Sequence, residues 1–480
     1  MTEWESKKFP PYWAVAFSSY EEVTEFLREL ETACILRGQP SDGTVSFGAI
    51  ARCLHELERP DREYRSIHVT GTNGKTTVSR MIAALLRATG MRVGLYTSPH
   101  VGHFRERISV NGQPISTQEL VDACNHVKPF MDWKGIVLSP FEFLTAAAFF
   151  AFRAARVDYA VIEVGIGGRQ DATNVIAPEV SVITNMDYDH TDLLGDTLEE
   201  IAQEKAGIIK PVTPVVTGTM SEAPRAVVRS RAAALNAPVL AIGEEYEPLE
   251  FRREGFTGVC SVRVGEQVWN DLRLNSPAPF MATNAAQALA AYDVLRRRGL
   301  ISELREPDLR NLFAGMECSP CCEVTPGAPT LVVDGAHNAP ATAGLAAILR
   351  SMLEGRRSVL LLSIARDKSY QRMIRHLARV GVDRAILTRC PQDTAVDPAI
   401  LADLWRREAS TAAEVVEDPR AAFQRAVQAA GPTGVVVATG SVEVAGLCRR
   451  SVVSAAAVPS ATPGATAPAG VPTMWSSPDL

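Results

Sequence analysis

Ser66-Ile67-His68-Val69-Thr70-Gly71-Thr72-Asn73-Gly74-Lys75-Thr76-Thr77 is the stretch on which the fold turns. A short β-branched run enters a glycine loop, and a helical stretch from Thr76 to Ala88 leaves it. Glycines in such a loop let backbone N–H groups wrap a phosphate, and the helix N-terminus adds positive potential. Lys75 is placed to reach the β- and γ-phosphates and Thr76 to meet Mg²⁺, while Thr72, Asn73, Gly74 and Thr77 complete the cradle. Val69 stands where the full G-x-x-x-x-G-K-[ST] pattern has its first glycine. The loop implies a nucleoside triphosphate site. It does not by itself separate ATPase, kinase and ligase.

Outward from the loop, apolar runs at Arg92–Thr97, Tyr159–Val164, Val180–Thr184 and Pro214–Thr217 alternate with helical segments such as 141–156 and 197–209. Buried strands alternating with helices imply an α/β fold with a parallel sheet covered on both faces. Residues 18–57 read as helices, with Val23, Phe26, Leu27 and Leu30 at helical spacing. Asn111-Gly112 supplies the positive φ angles of a tight hairpin between Ile108–Val110 and Gln113–Ile115. Short alternating segments over about 248–274 predict an antiparallel appendage, followed by helices from about Thr283 to Arg298 and near 306–316. After a segment holding Cys318, Cys321 and Cys322 the alternation restarts with Leu331–Val333, Ser358–Leu362, Arg384–Leu387, Glu414–Val416 and Val435–Ala438. The expected domains are 1–317, 318–450 as a smaller Rossmann-like unit, and an Ala/Pro-rich disordered tail over 451–480.

A chain of 480 residues exceeds one ordinary core, which agrees with two domains. Hydrophobic residues at 46% and charged residues at 22% fit a soluble globular protein. A net charge of −6 gives no basic footprint, so no nucleic-acid partner is expected. No apolar run reaches the roughly 20 residues of a membrane span. The opening MTEWESKKFPPYW has no apolar signal core, so the cytoplasm is the expected compartment. Nine scattered cysteines argue against a disulfide framework, and the 318–322 cluster lacks the second Cys/His pair of a zinc site.

The form T-G-T-N-G-K-T-T is similar to the Mur ligase superfamily, and later stretches narrow the resemblance. Thr97-Ser98-Pro99-His100, with Phe104-Arg105-Glu106-Arg107-Ile108, resembles a segment of the folylpolyglutamate synthase/dihydrofolate synthase family. Phe141–Thr145, Ile162–Asn174, Asp189-His190-Thr191, Glu204–Ile208, Asp334-Gly335-Ala336-His337-Asn338, Asp367-Lys368 and Gly440-Ser441 follow in the family's order, over roughly residues 18–450. The resemblance implies a Mur-ligase-like central domain and a Rossmann-like C-terminal domain, with ATP and Mg²⁺ in the cleft between them. It implies that glutamate is joined to dihydropteroate, or to the γ-carboxylate of a folate, through an acyl phosphate with release of ADP and phosphate. Small-molecule substrates and a monomer are expected.

Phosphoryl transfer to a carboxylate brings two anions together, so cationic groups must spread the charge. Glu163 ends a buried apolar strand, where a carboxylate points into the ligand crevice of such sheets, and Mg²⁺ prefers oxygen ligands. The resemblance adds Ser98 and His190 as metal ligands. It also implies that Lys205 is carbamylated by CO₂, which requires a desolvated, neutral amine. The plain alternative is a helix lysine paired with a glutamate one turn away. By resemblance Asp334 contacts the nucleotide, His337 lies near the phosphates, and Asn284 lies near adenine. Lys368 is equally well read as a solvated lysine.

The chain also departs from the family pattern. Thr76-Thr77 replaces the usual Gly-Ser after the phosphate lysine, Phe280-Met281 replaces His-Gln, and Cys318-Ser319-Pro320-Cys321 stands where Trp-Pro-Gly-Arg is usual. A lost arginine there costs roughly 1.5–3 kcal/mol of nucleotide binding. Two further readings therefore stay open. One is a ligase of the same fold acting on a non-folate carboxylate or a different amine. The other is a weakened, nucleotide-dependent binding protein, against which the retained Lys75, Glu163, His190, Lys205, Asp334 and His337 speak.

Overall fold

Strands buried on both faces need helices above and below them, and the computed structural model has that arrangement twice. It describes residues 17–37, 47–100, 102–316, 321–390 and 395–456, without the side chains of 452–456. The chain divides into two compact units, one running to Asn275 and from Pro279 to Met316, the other holding Ser276–Ala278 and the chain from Glu317 onward.

The first unit begins with α1 (Tyr20–Leu36) and α2 (Phe47–Glu56), then β1 (Arg65–Thr70), α3 (Lys75–Ala88), β2 (Val93–Tyr96), β3 (Ile108–Val110) and β4 (Gln113–Pro114). It continues through α4 (Thr117–Lys134), α5 (Pro140–Ala154), β5 (Tyr159–Glu163), β6 (Val180–Asn185), α6 (Thr191–Leu194) and α7 (Leu198–Lys205). Next come β7 (Val215–Thr219), α8 (Glu222–Ala234), β8 (Val239–Ala241), β9 (Tyr246–Glu254), β10 (Thr257–Val264), β11 (Gln267–Leu274), α9 (Phe280–Arg297) and α10 (Glu306–Gly315). The main sheet runs β4-β3-β2-β5-β1-β6-β7-β8, parallel from β2 to β8. Asn111 and Gly112 have φ of 51° and 79°, and the hairpin they close adds β3 and β4 antiparallel at one edge. The predicted appendage is the antiparallel sheet β9–β11.

Local signals set several helix starts. Ser116 with Glu119, Ser139 with Glu142, and Thr197 with Glu200 form capping boxes at α4, α5 and α7. Helix α5 is buried along most of its length, with Phe141, Phe143, Phe149 and Phe152 in the core beside β2 and β5. Helix α9 is likewise buried from Met281 to Leu295 apart from Thr283, which is why its small alanines dominate.

The second unit holds β12 (Glu323–Thr325), β13 (Thr330–Val333), α11 (Ala339–Met352), β14 (Ser358–Leu362), α12 (Tyr370–Ala378), β15 (Arg384–Leu387), α13 (Pro398–Glu408), β16 (Ala412–Val415), α14 (Pro419–Ala430), β17 (Val435–Thr439) and α15 (Val442–Ala456). Its sheet runs β12-β13-β17-β14-β15-β16, parallel except for the edge strand β12. The expected tail began at 451, and α15 continues past that point to Ala456. The N-terminal stretch, residues 38–46, Cys318 to Pro320 and the tail past Ala456 lie outside the described residues. Among the described residues no helix is long and apolar enough to cross a membrane.

Candidate active site

The order β2-β5-β1-β6 places four strand C-termini side by side where the chain reverses direction across the sheet. Open α/β sheets bind ligands at such a switch point. The loop Gly71–Gly74 leaves β1 here and opens α3, whose first N–H groups have no intrahelical acceptor. Asn185, at the end of β6, anchors the loop: its Oδ1 accepts from Thr72 N at 3.1 Å and Asn73 N at 2.8 Å. Thr72 Oγ1 donates to Asp187 O at 3.0 Å, and Thr184 Oγ1 donates to Asn73 O at 2.6 Å. Gly71 has φ 149°, and a Cβ there would overlap Thr184 Oγ1.

Glu163 closes β5 and is 1% exposed. Thr76 Oγ1 donates to its two carboxylate oxygens at 2.8 and 3.0 Å, and Ser98 N lies 3.4 Å from Oε2. Burial pushes the Glu163 carboxyl up to about 7, against the pull of Lys75 and the Thr76 hydrogen bond. A buried carboxylate and a hydroxyl at the phosphate loop are the oxygen donors that Mg²⁺ takes when phosphates and water complete its shell. The donor set therefore fits the metal. Among the described residues no three His, Cys, Asp or Glu side chains gather as a metal cage. His190 is the left-handed residue before α6, φ 49°, with Nε2 4.0 Å from Asp189 Oδ2.

Lys205 ends α7 and is 4% exposed. Its Nζ donates to Gly71 O at 2.8 Å, and Lys75 Nζ reaches the same carbonyl at 3.2 Å. Burial, then the charge of Lys75, drive the Lys205 ammonium down to about 7, opposed by Asp189 and Asp171. The reading as an ordinary helix lysine paired one turn away does not hold: the side chain is buried on the phosphate loop. The motif containing Glu163 and the motif containing Lys205 form one joint. Arg169 N donates to Glu204 O at 2.8 Å, Asn174 Nδ2 donates to Gly207 O at 3.2 Å, and Arg169 pairs with Glu204 at 2.5 Å.

Asn284, in the second turn of α9, lies against the loop: its Oδ1 is 2.8 Å from where a Cβ on Gly74 would stand. In the second unit Asp334 follows β13 and accepts from Cys322 N and Ala336 N, both at 2.7 Å. Burial raises its carboxyl to about 7 despite those two bonds. His337 Nδ1 donates to Gly335 O at 2.9 Å. Asn338 caps α11 by accepting from Ala341 N at 3.0 Å. Lys368 is 9% exposed and pairs with Asp367 at 3.2 Å, so it is not a solvated lysine.

The structure thus brings Thr72, Asn73, Gly74, Lys75, Thr76, Ser98, Glu163, Lys205 and Asn284 onto one loop. Sequence reading assigned no role to Asn185, Thr184 or Asp171. Asp171 caps the 3₁₀ turn at Ala172–Val175 and accepts from Ile166 N at 3.2 Å, shaping the glycine loop after Glu163. Its only signal in the sequence was its place between the glycines and Asn174.

The Mur ligase middle-domain family model matches residues 69–292, and the Mur ligase glutamate-ligase-domain model matches residues 322–442. Fold and site together define an ATP-dependent ligase of the Mur type, which forms amide bonds. A dihydrofolate synthase/folylpolyglutamate synthase of Mycobacterium tuberculosis is 35% identical over 84% of this chain and 89% of its own length. The Bacillus subtilis protein of the same name is 33% identical over 70% of this chain and 79% of its own. The structure of Mycobacterium tuberculosis folylpolyglutamate synthase complexed with ADP superposes with a TM-score of 0.77 at 34% identity, covering 84% of this chain and 94% of that one. The chain belongs to the dihydrofolate synthase/folylpolyglutamate synthase family.

Proposed function

We propose that the chain joins L-glutamate to dihydropteroate or to a folate in the cytoplasm, as a monomer, consuming ATP and forming an acyl phosphate. The observation that carries this reading is the pairing of a buried, near-neutral Lys205 with the Glu163–Thr76 couple on one phosphate loop. The names of the relatives at 33–35% identity support the choice of substrates.

Thr76 and Glu163, with Ser98 and His190, are the residues that would hold Mg²⁺. The metal would neutralise phosphate charge during transfer. Lys75, now folded back on Gly71 O and Thr72 O, is placed to turn toward the β- and γ-phosphates. Thr72, Asn73, Gly74 and Thr77 cradle phosphate, and Asn284 and Asp334 contact the nucleotide. By the family resemblance, His337 would act near the phosphates. A neutral Lys205 amine can add CO₂: nitrogen bonds to carbon, one N–H proton leaves to solvent, and a carbamate anion remains. That anion would position the acid substrate or meet the metal.

Incubation with ATP, Mg²⁺, glutamate and dihydropteroate tests the reading through phosphate release and product mass. Oxygen-18 placed in the dihydropteroate carboxylate should emerge in phosphate. ATP turnover with neither dihydropteroate nor folate would reject the folate assignment and leave the ligase. For the carbamate, Lys205→Ala should lose activity and short-chain carboxylates should restore part of it. A fully active variant would remove Lys205 from the mechanism.

A further inference from the structure

Helix α9 carries a second amide one turn beyond Asn284. Gln287 is 1% exposed, and its Nε2 donates to Thr184 O at 2.7 Å. Among the described residues its buried Oε1 has no hydrogen-bond partner. A buried amide left half satisfied costs stability, because the orphaned acceptor has given up its water without a replacement. An apolar side chain of the same size would fill this position more cheaply unless the donated bond serves a purpose.

The bond leads to the phosphate loop. Thr184 takes the Gln287 bond on its carbonyl and passes a second from its hydroxyl to Asn73 O at 2.6 Å. Glycines clear space on both sides of this threonine. A Cβ on Gly218 would overlap both Thr184 O and Gln287 Nε2, and one on Gly71 would overlap Thr184 Oγ1. Two close approaches and an orphaned acceptor thus converge on one threonine. Asn185, next in the chain, holds the N–H groups of Thr72 and Asn73. The Asn73 peptide is therefore held on its carbonyl side by Thr184 and on its amide side by Asn185.

We infer that Gln287 is a positioning residue for the phosphate loop, acting through Thr184 on the Asn73 carbonyl. It fixes the end of β6, so that the Thr184 hydroxyl meets Asn73 O and the N–H groups at the start of α3 keep one direction. This inference rests on the reading of the Lys75 loop as the phosphate site and adds a link from α9 to it.

The test is calorimetric ADP binding to the full chain in Mg²⁺ buffer, with melting followed in parallel. If the parent protein binds no ADP, the phosphate-site reading fails and this inference falls with it. Where the parent binds, Gln287→Leu and Thr184→Val should each weaken ADP on the order of three- to tenfold, the scale of one lost hydrogen bond. Thr184→Ser, which keeps the hydroxyl, should bind as the parent does. The double variant should be no weaker than the weaker single variant, because both cut one chain of bonds. KM for ATP should rise while KM for glutamate stays put. Parent-like ADP affinity in Gln287→Leu or Thr184→Val, or losses that multiply in the double variant, would overturn the inference whatever the melting temperatures do. Should Gln287→Leu fail to fold, the Thr184→Val and Thr184→Ser pair decides alone.

Discussion

Replacing Lys205 by methionine should make the protein more stable and inactive at once. In the folded chain burial and the neighbouring Lys75 bring the Lys205 ammonium from 10.5 down to about 7. Its folded pKa lies below its unfolded one, so from about 7 to 10.5 the unfolded chain binds a proton that the native chain lacks. Stability therefore rises with pH through that window. At pH 8 the group costs roughly 3 kcal/mol, at about 1.4 kcal/mol per pH unit. Losing the bond to Gly71 O returns about 1 kcal/mol. Methionine fills a similar volume without a charge, so the net gain is roughly 2 kcal/mol, or about 4 °C in melting temperature for a unit of this size. The assay is thermal melting of parent and Lys205→Met in CO₂-depleted buffer from pH 7 to 10, beside a phosphate-release assay. The difference in melting temperature should shrink as pH rises, and activity should fall at least a hundredfold. A lower melting temperature in the variant at pH 8, or retention of more than a tenth of the activity, would refute the assignment of Lys205 as a strained functional amine. At pH 8 about nine-tenths of the Lys205 amine would be neutral, against about 0.3% for an ordinary lysine, which is the state the proposed carbamylation requires.

Three other perturbations read different parts of the site. Glu163 is held up at about 7, so between 4.5 and 7 the native chain keeps a proton that the unfolded chain releases, and stability falls as pH rises through that range. Glu163→Gln should therefore melt above the parent at pH 7.5 without metal, yet gain far less from added Mg²⁺ and ADP; equal gains would clear Glu163 of metal binding. Gly71→Ala forces a Cβ onto Thr184 Oγ1 at φ 149° and should cost about 1–3 kcal/mol, read by denaturant melting, with a raised KM for ATP. Cys321 precedes Cys322, whose N–H holds Asp334, and the resemblance implies an arginine at its place. Cys321→Arg should tighten ATP binding by about ten- to a hundredfold, measured by calorimetry, as a restored charge-assisted bond would.

What could be read from the sequence was local, and what could not was contact between distant segments. The phosphate loop, the Asn111-Gly112 hairpin and the buried strands each carry their cause within a dozen residues: glycines before a lysine, two residues tolerant of positive φ, a run of β-branched side chains. Edge strands β8 and β12 are three residues each, too short for a period to register. Asn185 had no local signature at all. It grips Thr72 and Asn73 across more than a hundred residues of chain because β6 pairs with β1, and that register places its amide beneath the loop. The pairing of β1 with β5 likewise sets Glu163 beside the loop, and Lys205 reaches it from α7. Lys205 shows how far the separation goes. Its position in a motif suggested a special lysine, but the cause of its depressed pKa is burial first and then the Lys75 ammonium from the loop at 71–75. Chemistry that depends on a perturbed charge is set by its neighbours in space, so such a site becomes legible only when the sheet has brought those neighbours together.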